Sequence, residues 1–224
     1  MVYDFHTHTF LSDGELSPVE LIRRAVVNGY QAIGVTDHVG PGNMERVVRE
    51  LIKECRIAEQ YWGIRAIPGV ELTHVPAASI SDLAREARKC GAELVVVHGE
   101  TLVEPVEPGT NLAAVSCGTV DILAHPGFLS AEVAALAVQN NVLIEITARG
   151  GHNVGNGQVV QAGRAAGVDF VVDSDTHSPG NLLTAEWART VARGAGLTEA
   201  EVEAATVTNP LKLIQRLKER QKAD

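Results

Sequence analysis

The sequence predicts an α/β fold, a distorted (β/α)7 barrel of the TIM type, from three observations. Short β-branched runs alternate with helical patterns along 224 residues. The strand candidates are apolar along their length, as parallel strands covered by helices must be. Residues suited to ligate metal stand at nearly every strand end, and only a closed barrel gathers all of those ends at one mouth. An open doubly wound sheet would collect ligands at a single switch point, from a few strands.

The elements follow in order. The first strand candidate is Val2–His6. Ser17-Pro18-Val19-Glu20 then supplies an N-cap, a proline at the first helical position and a glutamate at the third. The helix Pro18–Asn28 stops at Asn28-Gly29. Strand Ala32–Thr36 leads to helix Met44–Tyr61, and strand Arg65–Val70 to helix Ser81–Cys90, stopped by Gly91. Strand Leu94–His98 precedes helix Leu112–Cys117, strand Val120–Ala124 precedes helix Ala131–Asn140, and strand Val142–Ile146 precedes helix Val159–Ala166. Strand Asp169–Val172 closes the series, and a helical tail runs from about Ala185. The strand ends fall near positions 6, 38, 71, 98, 125, 147 and 175, a β/α unit repeated seven times. No linker or low-complexity segment interrupts it, so residues 1–224 read as one domain. Lys212 to Lys222 reads as a mixed-charge amphipathic helix with Leu213, Ile214 and Leu217 inward, a solvated face and not an anchor.

With 45% hydrophobic residues the chain can bury a sizeable core. Cys55, Cys90 and Cys117 are odd in number and unpaired in spacing, which fits small core residues in a reducing compartment and excludes a thiolate zinc site. Met1 leads into a strand pattern and not a signal peptide, and no run approaches the roughly 20 apolar residues of a membrane helix. The net charge is −9, with no basic patch outside the tail, and aromatics make up 4%. Duplex binding and base stacking both want the opposite. A cytoplasmic protein is expected, with no membrane contact and no nucleic-acid partner; the oligomeric state stays open.

Histidine is the commonest metal ligand. His6 and His8, two apart on a strand, point to one face. His38, His98, His125 and His177 sit at further strand ends. Asp13 lies in the turn Leu11-Ser12-Asp13-Gly14, which can fold its carboxylate back over the mouth, while Glu71 and Asp175 close other strands. A single tetrahedral zinc uses three or four ligands, so nine candidates suffice for two or three divalent ions if one carboxylate bridges. Nitrogen and oxygen donors without thiolate suit Zn, Mn or Fe and do not choose among them. Three carboxylates against three divalent ions leave the filled mouth at about +3, which favours a small anion. Such ions lower the pKa of bound water towards ~7 and clamp attacking and leaving oxygens, the chemistry of phosphate-ester hydrolysis.

The strand ending Glu145-Ile146-Thr147-Ala148-Arg149 carries no obvious ligand. Arg149 is placed to fork onto phosphate oxygens. His152, in the glycine-rich loop that follows, would do the same or protonate a leaving alkoxide. His74 and Glu100 read as rim residues. Asp37 and Asp173 abut ligands and either orient imidazoles or serve the fold.

The ordered series resembles the PHP (polymerase and histidinol phosphatase) superfamily from His6 to about Pro210. It comprises His6-Thr7-His8 with Ser12-Asp13-Gly14, Thr36-Asp37-His38, Gly69-Val70-Glu71, His98, Ala124-His125-Pro126 and Ser174-Asp175-Thr176-His177. The resemblance implies a seven-unit distorted barrel holding three ions or fewer. One ion would take His6, His8, Glu71 and Asp175. A second would take Glu71, His98 and His125, with Glu71 bridging, and a third Asp13, His38 and His177. Some relatives carry histidine where this chain has Asp13, a change that bears on metal preference. The implied activity is hydrolysis of a small phosphomonoester by attack of a metal-bound hydroxide, with histidinol phosphate the first substrate suggested. The family also contains nucleases and nucleotide phosphatases, and the fold recurs in a non-catalytic ribonuclease P protein. The acidic charge and the full ligand set argue against a nucleic-acid role here.

Overall fold

Eight parallel strands surround an apolar interior in the computed structural model, which describes residues 1–223. Asp224, the last residue of the expected 1–224 domain, lies outside the described residues. The strands are β1 (Val2–Asp4), β2 (Tyr30–Val35), β3 (His38–Val39), β4 (Arg65–Leu72), β5 (Leu94–His98), β6 (Ile122–Ala124), β7 (Leu143–Thr147) and β8 (Phe170–Asp173). Their order is β1-β2-β4-β5-β6-β7-β8, with the two-residue β3 added beside β4. The seven expected strands are therefore present. The additional β3 pairs His38 with Glu71 and Val39 with Leu72, which brings two expected ligands side by side.

Helices α1 (Pro18–Val27), α2 (Met44–Trp62), α3 (Ile80–Lys89), α4 (Thr110–Val115), α5 (Ala131–Gln139) and α6 (Asn156–Ala166) follow the strands in alternation. Local chemistry sets their ends. The Ser17 hydroxyl accepts from the Glu20 amide ahead of α1, and the Ser130 hydroxyl accepts from the Val133 amide ahead of α5. One core lies between strands and helices, built from residues such as Leu21, Ile22, Val48, Leu51, Ile80 and Leu123.

The second core fills the barrel. Phe5, Ala32, Ile67, Leu94, Val96, Ile122 and Val171 point inward and meet Leu213 and Leu217. Those leucines belong to α9 (Asn209–Ala223), which follows α7 (Ala185–Gly194) and α8 (Glu199–Glu203). The expected tail is thus the floor of the barrel. Its polar groups bind the N-terminal ends of strands: Asn209 donates to the Phe170 carbonyl, and Arg216 and Arg220 reach Asp121 at 3.4 and 3.1 Å. Asp121 is fully buried, also pairs with Arg88 and accepts from the Val95 amide.

No ladder joins β1 to β8 apart from a Thr7–Thr176 bridge. Two buried aspartates close that seam. The Asp173 carboxylate accepts from the Phe5 amide at 2.7 Å, and the Asp4 carboxylate accepts from the Ser174 amide at 3.0 Å and from the Tyr30 hydroxyl at 3.0 Å. Burial pushes the Asp4 carboxyl up to about 6 against those hydrogen bonds. No helix among the described residues is long and apolar enough to cross a membrane.

Candidate metal centre

With the floor sealed by α9, the open end of the barrel is the C-terminal end of the strands, where barrel sites lie. His6 and His8 leave β1 in register and are fully buried. The His6 Nε2 lies 3.2 Å from Glu71 Oε1, and the His8 Nε2 lies 3.2 Å from Asp175 Oδ1. Glu71 reaches further: its Oε2 stands 2.6 Å from His38 Nδ1, and its Oε1 3.6 Å from His125 Nε2. Asp13 lies 3.5 Å from His38 Nε2 and 3.2 Å from His177 Nε2. The rings of His38 and His177 each sit 4.2 Å from that of His8.

These contacts form overlapping groups with donor atoms close enough to share an ion: His8, Asp13, His38 and His177; His6, His8 and Asp175; His6, Glu71 and His125. Eight of the nine expected ligands thus fall into three groups, and Glu71 touches both His6 and His38. His98 lies beside them, its ring 4.5 Å from that of His125. Its Nε2 lies 3.1 Å from Glu104, in a group with His74.

Several buried polar atoms here lack a hydrogen-bond partner within the chain, among them His6 Nε2, both ring nitrogens of His8, Glu71 Oε1, His125 Nδ1 and Asp175 Oδ1. Leaving one such atom unsatisfied costs about 1–3 kcal/mol. A cluster of them, two carboxylate oxygens and imidazole rings that each offer one lone pair, fits divalent metal ions. Backbone strain lies in the same place. His125 and Asp175 have φ of 24° and 51°, a region that costs a non-glycine residue about 1–3 kcal/mol. Gly127, two residues on, has φ 69°, and a Cβ there would strike the Glu100 carbonyl.

Without metal, protons hold the charges together. Burial favours the neutral His38 ring, but Glu71 and Asp13 outweigh it and push the imidazole up to about 10. Burial opposes the charged His6 as well, and Glu71, Glu145 and Asp175 raise it well above its ordinary value. The carboxyls respond in reverse: Glu71 and Asp175 lie well below the usual range despite burial, drawn down by the surrounding histidines. His8 is lowered to about 3, chiefly by burial, so its ring is neutral and ready to ligate.

Arg149 follows β7 and sits against the centre, its Nε 3.9 Å from Asp175 Oδ2 and its Nη1 donating to the Asp175 carbonyl at 3.3 Å. His152 packs its ring 4.6 Å from that of His125, with Nε2 3.4 Å from Glu104. Burial and the neighbouring His125 lower His152 to about 4. The residues read as rim or supporting groups take definite places. His74 stands at the mouth, but Glu100 does not face it, since its carboxylate caps the Gly109 and Asn111 amides. Asp37 orients no imidazole; it accepts from the Thr9 and Ser12 amides and hydroxyls and so pins the turn that carries Asp13. Asp173 is spent on the β1–β8 seam.

Two residues at the site were not singled out by sequence. Glu145, fully buried in β7, stands 2.7 Å from His6 Nδ1. That contact fixes the ring and turns Nε2 towards the metal ligands. The signal was a lone charge in the apolar strand Leu143-Ile144-Glu145-Ile146. Glu104, on the loop after β5, meets His74, His98 and His152, and nothing in its local sequence marks it.

Comparison with known proteins identifies the family and the fold. The family model described as PHP domain matches residues 4–177. An uncharacterised protein of Methanocaldococcus jannaschii is 47% identical over 222 residues, covering 97% of this chain and all of that one. A probable phosphatase of Aliivibrio fischeri is 26% identical, with 79% of this chain and 78% of that one covered. Among solved structures, a histidinol phosphate phosphatase from Lactococcus lactis, in complex with zinc, L-histidinol and phosphate, superposes with a TM-score of 0.63 at 15% identity, covering 88% of this chain and 94% of that one. A chain of archaeal ribonuclease P superposes with a TM-score of 0.67 at 16% identity, covering 95% and 89%. At those identities the two structures show a shared fold.

Proposed function

The chain belongs to the PHP domain family and is a hydrolase of phosphoester bonds, and from that premise we propose that it is a metal-dependent phosphomonoesterase for a small substrate. The observation that carries this reading is the set of unpartnered buried nitrogen and oxygen atoms on His6, His8, Glu71, His125 and Asp175 at the open end of the barrel. Divalent ions there would be held by His6, His8, Asp13, His38, Glu71, His125, Asp175 and His177, with His98 facing the same mouth; zinc, manganese and iron all suit the donors. When bound, such ions supply Lewis acidity towards phosphoryl oxygens and lower the pKa of water.

The remaining roles belong to side chains. Arg149, partly exposed and anchored on Asp175, places guanidinium N–H groups at the entrance, where a phosphate oxygen accepts them. In the metal-free protein His152 is lowered to about 4 by burial and the neighbouring His125, and so is neutral at pH 7. A dianionic phosphate within reach raises its pKa, and the ring then donates its proton to the departing alkoxide oxygen. Glu145 keeps His6 in the tautomer with the proton on Nδ1. His6, His8, Glu71, His125 and Asp175 are buried, which limits water around them.

Histidinol phosphate is the first substrate to test. The formal charge of −9 favours a small ester over RNA or DNA, and a reducing cytoplasm suits the three free cysteines. We take residues 1–224 as one domain. The test is a phosphate-release screen over small phosphoesters with Zn²⁺, Mn²⁺ and Fe²⁺ supplied separately. His125→Ala is expected to abolish turnover. Arg149→Ala is expected to weaken phosphate binding and leave metal content unchanged. Full activity in His125→Ala would refute the metal reading, and turnover of nucleic-acid ends without small esters would move the assignment to a nuclease.

A further inference from the structure

The loops after β5, β6 and β7 interlock, and they do so at glycines. A Cβ on Gly127 would lie 2.1 Å from the Glu100 carbonyl oxygen, and one on Gly155 would lie 2.1 Å from the Gly127 carbonyl oxygen. Side-chain amides fasten the same seams. Asn111 accepts from the Glu100 amide at 2.9 Å and donates to the Pro126 carbonyl at 2.8 Å. Gln158 accepts from the Leu129 amide at 2.7 Å and donates to the Leu129 carbonyl at 2.9 Å. The loops thus form one continuous wall beside the metal centre.

The side chains exposed on that wall are apolar. Leu102, Val103, Phe128 and Val154 are 44%, 53%, 62% and 72% exposed. They are also neighbours. Leu102 Cδ2 lies 3.4 Å from where a Gly127 Cβ would stand, one residue before Phe128, and Gly127 abuts Gly155, one residue after Val154. Val103 Cγ1 lies 3.8 Å from where a Gly151 Cβ would stand, and Gly151 is flanked in the chain by Arg149 and His152. The apolar side chains therefore adjoin both groups assigned to the phosphate. The carboxylates of the β5 loop, in contrast, are engaged within the chain. Glu100 accepts from the Gly109 and Asn111 amides, Glu107 accepts from the Ala77 amide, and Glu104 meets His74, His98 and His152.

We propose that Leu102, Val103, Phe128 and Val154 select the alcohol part of the substrate, and that this alcohol carries an apolar group such as an aromatic ring. This rests on the phosphomonoesterase reading and narrows it. Metal ligands, Arg149 and His152 address the phosphate, which every phosphomonoester shares; the alcohol is told apart only by what lies beside it. Apolar area removed from water when a ring covers the wall favours binding. The Phe128 ring gains a further edge or face contact with an aromatic group. Because the loops are tied before a substrate arrives, little ordering entropy opposes that contact. A polyol on the same surface loses water without regaining its hydrogen bonds. The ammonium of an amino alcohol meets apolar side chains and carboxylates already engaged.

The experiment measures kcat/KM of the full chain on benzyl phosphate, glycerol phosphate and histidinol phosphate, with whichever of Zn²⁺, Mn²⁺ and Fe²⁺ supports turnover. All three esters release an alkoxide, so differences in leaving-group chemistry are small. Benzyl phosphate is expected to exceed the other two by about 10-fold or more, chiefly through KM. Phe128→Ala and Val103→Ser are each expected to cut the benzyl-to-glycerol ratio by roughly 2- to 12-fold. Metal content and melting temperature should stay unchanged in both, since both side chains are exposed. Equal or lower kcat/KM for benzyl phosphate in the wild type would overturn this inference and leave the phosphomonoesterase reading standing. So would an unchanged ratio in both variants. A wild-type dimer that Phe128→Ala converts to a monomer, seen by light scattering, would make the wall a subunit interface and overturn the inference too. Phosphate release from none of the three, and from no other small ester in the screen, would overturn the phosphomonoesterase reading and this inference with it.

Discussion

Replacing Glu145 with glutamine removes the carboxylate that holds His6 Nδ1 at 2.7 Å and leaves every ligand in place. Both residues are fully buried, so no water substitutes for the lost contact. With glutamine the amide offers either a donor or an acceptor to Nδ1, and the tautomer with Nε2 free for metal is no longer enforced. Loss of such a partner lowers metal affinity by about 10- to 100-fold. A tenfold change is about 1.4 kcal/mol, so the cost is about 1.4–2.7 kcal/mol of binding. Stabilisation by ligand follows affinity at fixed ion concentration. At about 2–4 °C per kcal/mol for a chain of this size, the metal-induced rise in melting temperature should shrink by about 3–11 °C. The metal-free protein also loses a partner of the charged His6, offset in part by relief of Asp173, a buried acid that the Glu145 charge pushes up, so the readout is the metal-induced rise and not the metal-free melting temperature. The assay is a thermal-shift titration of wild type and Glu145→Gln with Zn²⁺ from none to saturation. Equal metal-induced shifts in the two proteins would refute the positioning role of Glu145.

Other expectations follow from the floor of the barrel and from the protons in the metal centre. Asp121→Asn leaves Arg88, Arg216 and Arg220 without their shared carboxylate. Breaking a buried pair costs about 3–5 kcal/mol, which corresponds to a melting temperature lower by roughly 6–20 °C, measured calorimetrically, with Zn²⁺ affinity unchanged; a shift under about 2 °C would show that α9 is held by its leucines alone. His38 is raised to about 10 in the metal-free protein, so its contribution to stability is fully present below about 6.5 and is lost as pH climbs through 10. Because ions must displace that proton, Zn²⁺ affinity should rise between pH 6 and 9 with proton release, seen as buffer-dependent binding enthalpy. Affinity independent of pH over that range would contradict the charge state assigned to His38.

The barrel and the convergence of the candidate ligands at its open end were legible in the sequence for one physical reason. Ligands at strand ends must be encoded strand by strand, so each β/α unit carries its own short signal: His6 with His8, His38, Glu71, His98, His125, and Asp175 with His177. Groups that act across the barrel carry no such local mark. Glu145 meets a residue 139 positions away, and Glu104 joins histidines from three other segments. The floor was misread for a related reason. The pattern of Leu213, Ile214 and Leu217 shows that one face of α9 is buried but not what it covers. Only the folded barrel shows that Leu213 and Leu217 finish a core begun by Phe5 and Leu94. Asp173 abuts a ligand in sequence, yet it and Asp4 are the stitches of an incomplete ladder, each accepting from a backbone amide across the seam.

Sealing one end of the barrel and charging the other has a consequence for how an acidic protein takes an anion. With α9 across the floor, the interior below the metal centre is apolar, and the carboxylates of Glu71 and Asp175 have few neutralising partners besides the histidines around them. Protons or ions must therefore supply the positive charge. Protons give each imidazole one charge and use up the lone pair that ligates; a divalent ion brings two and frees that proton. Exchange of protons for ions thus makes the mouth more positive while the outer surface stays negative. The field that draws a small phosphoester inward is then local to the mouth, and a long polyanion meets the acidic surface first.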